Sequence, residues 1–167
     1  MLTKKYINQL VHSALLEDIG RDGDITSKVL IPKSSLSKAT IVVKEKAIIC
    51  GTEFAKQTFK KLDKSVKIRT LKKDGELANK GDKIITISGK TQSILTAERT
   101  ALNFLGLMSG VASKAREFSD IADPYGSKIY STRKTIPGIR KLEKYALTIG
   151  GAYINRETLD DFFFIKD

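Results

Sequence analysis

Apolar positions recur at helical spacing from the start of the chain. Ile7, Leu10, Val11, Ala14 and Leu15 follow Thr3, a residue type that caps helices, and the stretch from Gly20 to Asp24 ends the run. The period then shortens. Ala39 to Ile49 holds two apolar runs, 41–43 and 47–49, divided by Lys44, Glu45 and Lys46, which predicts a strand pair or a bulged strand. Glu53 to Leu62 predicts a short helix with Phe54, Thr58 and Leu62 along one side. Val66, Ile68 and Thr70 alternate with charged residues, as a half-exposed strand does. Asp74-Gly75 and Gly81-Asp82 are turn signals, and Lys83 to Ser88 predicts a strand ended by Gly89.

The texture changes at Ile94. From there to Val111 the chain is dense in Leu, Ala, Phe, Ile and Met, which predicts a helix buried on most sides. Gly106 and Ser109-Gly110 read as close-packing points or as its end. Lys128 to Thr132 predicts a strand. Pro137-Gly138 opens a helix with Ile139, Leu142, Tyr145, Ala146 and Ile149 on one face, and Gly150-Gly151 closes it. Phe162 to Ile165 is wholly apolar and predicts a strand buried in a parallel sheet. The second half therefore has an α/β rhythm and the first half is α+β. The boundary falls near Ser109, giving segments 1–109 and 110–167.

The 167 residues suit one domain, or two small ones sharing a core. No apolar stretch approaches the roughly 20 residues of a membrane-crossing helix. Nothing near Met1 resembles a secretory leader, so a cytoplasmic protein that binds no membrane is expected. One cysteine, Cys50, and one histidine, His12, exclude a disulfide framework and most Cys/His metal sites. The net charge of +11 points to anionic partners. The chain shows no helix-turn-helix, zinc-finger or aromatic RNA-binding signature, so nucleic acid is not the expected one. The first 90 residues carry mostly lysine, with only Arg21 and Arg69; Arg99, Arg116, Arg133, Arg140 and Arg156 lie beyond. Arginine is the better bidentate reader of carboxylate and phosphate, which places specific anion chemistry in the second half.

Two predicted strands end alike. Arg133-Lys134-Thr135 follows one and Lys166-Asp167 the other, with Asn155-Arg156 between them. Carboxyl ends of parallel strands are where α/β folds keep ligands, so these groups can converge on one anion. The blander alternative is an ordinary basic surface. Arg99, on an apolar helix, needs a partner or a water-filled site. Asp18, Asp22 and Asp24 lack calcium-loop spacing and read as a helix-terminating turn. Cys50 reads as buried and inert, and His12 as a surface or interface residue.

These residues resemble the nicotinate-nucleotide pyrophosphorylase (quinolinate phosphoribosyltransferase) family along the whole chain. The resemblance starts with Leu15 to Gly20 and Gly23 to Ser27, then takes in Asp74-Gly75-Glu76 and Gly81-Asp82. It is strongest in Ile94 to Leu105, Ser109 to Ala112, Thr132 to Arg140 and Leu142 to Ala146, and continues in Gly150-Gly151, Arg156 and Phe164 to Asp167. The resemblance implies an α/β fold: an N-terminal α+β open sandwich followed by the first part of an incomplete α/β barrel. It implies conversion of quinolinate and phosphoribosyl pyrophosphate, with Mg2+, to nicotinate mononucleotide, CO2 and pyrophosphate in NAD biosynthesis. It implies a homodimer or larger homo-oligomer with a shared site, to which Arg99 comes from the partner. Arg133 and Arg156 match the arginines that hold the quinolinate carboxylates, Thr132 lines that pocket, and Lys134 and Lys166 match lysines near the substrate and phosphoribosyl groups. Such a reaction needs placed charge and no covalent nucleophile.

Two departures stand out. Asn155 occupies the place of the family's pocket histidine; it donates a hydrogen bond but carries no charge, which bears on activity and substrate choice. The chain also stops at Asp167, where the barrel would be starting. The acidic residues that meet ribose and magnesium, and the phosphate loop, are expected beyond that point. The 167-residue chain alone is therefore expected to be weak or inactive. Three alternatives stay open: a molybdenum-transport-associated paralogue of the same fold, a lipoyl-like carrier module, and a non-catalytic remnant that associates with full-length subunits.

Overall fold

Thr3 opens the first element of the computed structural model, which describes residues 2–165. Its hydroxyl accepts from the Tyr6 N–H at 3.2 Å and caps α1 (Lys4–Ile19), whose Ile7, Val11 and Leu15 are buried. Asp24 then caps α2 (Ile25–Leu30), accepting from the Ser27 N–H at 2.9 Å. That helix was not expected from periodicity, because six residues are too few to show one. Two of the three early aspartates are thus structural. Asp24 also accepts from the Thr96 hydroxyl at 2.9 Å, and Asp18 from the Thr100 hydroxyl at 3.1 Å.

Strands β1 (Leu36–Val42), β3 (Lys67–Thr70) and β5 (Lys83–Lys90) form an antiparallel sheet in the order β1-β5-β3. The register pairs Ala39 and Ile68 with Ile87, and Ile41 with Ile85. These side chains pack against Ala55 and Phe59 of α3 (Thr52–Leu62) and against Ile94, Ala97, Ala101 and Leu105 of α4 (Thr91–Ala122). The opposite face carries Lys38, Thr40, Lys67 and Arg69, so this is an open sandwich of one covered sheet. The two expected strands within 39–49 lie in different sheets. The second, β2 (Ala47–Ile48), pairs with β4 (Leu77–Ala78).

Helix α4 runs 32 residues without interruption through Ser109 and Gly110. A Cβ added at Gly106 or Gly110 would meet nothing within 4 Å, so neither glycine is a packing point or a helix end. Its buried residues, from Ile94 through Ala101 and Met108 to Ser119, form one face, whereas Leu95, Leu107, Phe118 and Ile121 are exposed. The expected burial on most sides is therefore corrected: the helix is longer than its apolar run and only one stripe is covered.

Helix α5 (Arg140–Ile149) packs across the second half of α4. Leu142 and Ala146 join a core cluster with Ile7 and Val11 of α1, Phe54 of α3 and Phe104, Met108 and Ala112 of α4. Asp74 ties the same region together. Its carboxylate accepts from the Gly51 and Thr52 N–H groups at the start of α3 (3.1 and 3.0 Å), from the Thr52 hydroxyl (2.6 Å) and from the Tyr145 hydroxyl of α5 (3.0 Å). Burial first, and the Asp74 charge second, push the Tyr145 phenol and the neighbouring Cys50 thiol well up. Cys50 is buried, as expected of an inert thiol.

Two predicted strands are absent. Within Lys128–Thr132 only Tyr130 makes a bridge, in parallel with Tyr153. Phe162–Ile165 forms no strand and is exposed, Phe163 at 98% and Ile165 at 95%. An apolar run becomes a buried parallel strand only where neighbours hydrogen-bond both its edges, and no described strand flanks either segment. No helix of the described residues is long and apolar enough to cross a membrane.

Candidate active site

The backbone returns twice to one place in the second half. The Tyr153 N–H donates to the Ile129 carbonyl and the Ser131 N–H to the Tyr153 carbonyl, both at 2.8 Å. Beyond this parallel bridge the two arms open around a cleft of ≈ 580 Å³ lined by Ser131, Thr132, Arg133, Lys134, Asn155, Arg156 and Phe164. The Ser131 side chain, only 6% exposed, accepts from the Asn155 N–H at 3.3 Å and keeps the arms in register. The Thr132 hydroxyl accepts from the Lys134 N–H at 3.1 Å and turns the first arm.

The cleft is cationic. Arg133, Lys134 and Arg156 line it, and among the described residues no Asp or Glu does. The Nε of Arg133 is buried and has no hydrogen-bond partner among the described residues. A buried donor left unpaired costs about 1–3 kcal/mol, more when charged, so the Arg133 guanidinium is under-satisfied by the protein alone. The Arg156 guanidinium lies over the Phe164 ring, its central carbon 5.1 Å from the centroid, with an Nη1 contact of 3.4 Å to the Phe162 carbonyl. Stacking leaves the edge of the guanidinium fork to bind a ligand.

The structure brings together Thr132, Arg133, Lys134, Asn155 and Arg156. Arg99 is not among them. It lies on the exposed side of α4 and makes no ion pair among the described residues. Lys166 lies outside the described residues. His12 is exposed on α1. Three contributors escaped sequence reasoning. Ser131 looked like one more strand residue, and Phe164 like core. Lys144 is 2% exposed and donates from Nζ to the Arg156 carbonyl. Burial holds its ammonium below the usual lysine range, against the opposing pull of Glu157. Helical periodicity around Leu142 and Ala146 gave no sign that a lysine beside them would be buried.

Magnesium takes oxygen ligands, chiefly carboxylates and substrate phosphates. Among the described residues no three His, Cys, Asp or Glu residues converge, and none of those lining the cleft carries a carboxylate. The described residues therefore do not fit a resident magnesium ion.

Comparison with known proteins gives two adjoining matches. The model of the quinolinate phosphoribosyl transferase N-terminal domain matches residues 24–109, and that of the C-terminal domain matches residues 111–167. The mitochondrial quinolinate phosphoribosyltransferase (decarboxylating) 2b of Nicotiana tabacum is 39% identical over 161 residues, covering 96% of this chain and 45% of that protein. A probable nicotinate-nucleotide pyrophosphorylase (carboxylating) of Bacillus subtilis is 40% identical over 161 residues, covering 96% of this chain and 55% of that protein. Among solved structures, the nicotinate-nucleotide pyrophosphorylase of Francisella tularensis superposes with a TM-score of 0.91 at 35% identity, over 96% of this chain and 56% of that one. The chain spans about half the length of these relatives.

Proposed function

The chain belongs to the quinolinate phosphoribosyl transferase family, and from that premise we propose that it supplies the dicarboxylate-binding part of a site that transfers a phosphoribosyl group to quinolinate. In that reaction the pyridine nitrogen bonds to the sugar C1 as the C1–O bond to pyrophosphate breaks. The carboxylate beside the ring nitrogen leaves as CO2, its electron pair stays on the ring carbon, and a proton replaces it. The products are nicotinate mononucleotide, CO2 and pyrophosphate. Every stage turns on where charge sits, so positioned cations are the protein's contribution.

The observation that carries this reading is the cleft that gathers Arg133, Lys134 and Arg156 in one lining. Quinolinate presents two adjacent carboxylates, and Arg133 and Arg156, on separate arms of one cleft, suit one each. Asn155 offers an uncharged donor beside them, and Thr132 holds the turn on which Lys134 stands. Lys134 and, outside the described residues, Lys166 are assigned to the phosphoribosyl side. Arg99 is assigned to the cleft of a second copy of the chain, since it is exposed and stands apart from its own.

Titration calorimetry with pyridine-2,3-dicarboxylate tests the reading. Each hydrogen bond to a charged group is worth about 1.5–3 kcal/mol, so Arg133→Ala and Arg156→Ala should each weaken binding about 10-fold or more. Unchanged affinity in both variants would sink it.

A further inference from the structure

The first turn of α5 lies outside the cleft lining yet touches both of its arms. Arg140 donates from Nε to the Thr135 hydroxyl at 3.0 Å and from Nη1 to the Glu157 carbonyl at 2.8 Å. The Thr135 hydroxyl in turn reaches the Arg133 carbonyl at 3.5 Å, so one end of this chain of contacts stops at an arginine of the first arm. At the other end, Glu157 follows Arg156 directly. Two neighbours reinforce one arm each. Glu143 accepts from the Ile136 N–H at 3.0 Å, and Lys144 donates to the Arg156 carbonyl. Of these three α5 residues, Arg140 is the one that reaches both arms, beyond the Ser131–Asn155 contact at the base of the cleft. A guanidinium can do this because its donors sit at fixed angles in one plane; an ammonium is a single point.

We propose that Arg140 is a positioning residue that fixes the separation of Arg133 and Arg156, and thereby makes the cleft select ligands bearing two adjacent carboxylates over ligands bearing one. The inference rests on the dicarboxylate reading above. The physical argument is one of preorganisation. A single carboxylate needs one arginine, wherever it stands. Two carboxylates on one rigid ring need both arginines at a set distance, and loosening either arm taxes only that ligand. A residue that merely stabilised the fold would weaken both ligands together.

The test uses the 167-residue chain, its Arg140→Ala, Arg140→Lys and Thr135→Val variants, and two probes, pyridine-2,3-dicarboxylate and pyridine-3-carboxylate. Amide hydrogen exchange is followed in segments 132–136 and 155–158. For Arg140→Ala, exchange should rise about 10-fold in both segments while that of residues 142–146 stays level. The ratio of the two affinities should fall by about 10-fold, with the monocarboxylate held within about twofold. Thr135→Val should loosen only the first segment. Arg140→Lys keeps the charge and serves if the alanine variant fails to fold; it should lose the selectivity too. Equal weakening of both probes, or unchanged exchange in both segments, overturns the proposal. If the parent chain binds neither probe, the dicarboxylate reading falls, and the exchange measurement still decides whether Arg140 couples the arms.

Discussion

Asn155 stands between the Ser131 hydroxyl, which holds its backbone N–H, and Arg156. Its side-chain amide gives the cleft a hydrogen-bond donor with no proton to lose, whereas a histidine there would titrate near pH 6.5. Dicarboxylate affinity of the parent chain should therefore be level from about pH 6 to 8. Asn155→His should give affinity that rises several-fold as pH falls through about 6.5, because the charged imidazole appears on the acid side. Calorimetry across that range checks both statements; a sloping parent profile would contradict the first. The residues that carry this argument were legible in the sequence because they sit next to one another, as Thr132-Arg133-Lys134 and Asn155-Arg156. Local adjacency survives any fold. Phe164, Lys144 and the bridging Arg140 were not legible as site-builders, since their roles depend on which segments the fold brings side by side.

Between elements, Gly150 lies close against α4. A Cβ there would collide with the Ala112 carbonyl oxygen and stand 2.6 Å from the Ala115 Cβ and 3.0 Å from the Arg116 N. Arg116 closes the same contact by donating from Nε to the Gly150 carbonyl at 3.1 Å. Gly150→Ala should cost about 1–3 kcal/mol, because the two helices must part. Gly106→Ala and Gly110→Ala, in open space on α4, should instead stabilise by about 0.4–1 kcal/mol. Urea unfolding of the three variants measures the contrast, and a stabilising Gly150→Ala would refute the packing argument. All three glycines look alike in sequence, and only the neighbour decides. The same holds for apolar runs. Of the first-half helices, α1 and α3 were readable from spacing and the six-residue α2 was not; α5 was readable from its Leu142, Ala146 and Ile149 positions. The two expected strands of the second half were not, because a strand is made by its neighbours' hydrogen bonds.

At the scale of the molecule, α4 is the spine. It covers the sheet through Ile94 to Leu105, joins the second core through Phe104 to Ala112, and receives Gly150 near its far end. At about 1.5 Å per residue its 32 residues span about 48 Å. Arg99 near one end is thereby held at a fixed distance from the α5 contact near the other, and the cleft we propose for it is that of another copy. Mixing Arg99→Ala with Arg156→Ala chains tests this. Each variant alone should bind dicarboxylate weakly. After random re-pairing about a quarter of the clefts should recover, since half the dimers are mixed and each has one cleft with both arginines intact. No recovery at any ratio would remove Arg99 from the site. The position of Arg99 on a rigid rod has a further consequence in the arithmetic of assembly. In the parent chain, a two-fold pairing that lends one chain's Arg99 to its neighbour must lend the neighbour's back, so complete clefts arise in even numbers, and dilution should extinguish them two at a time.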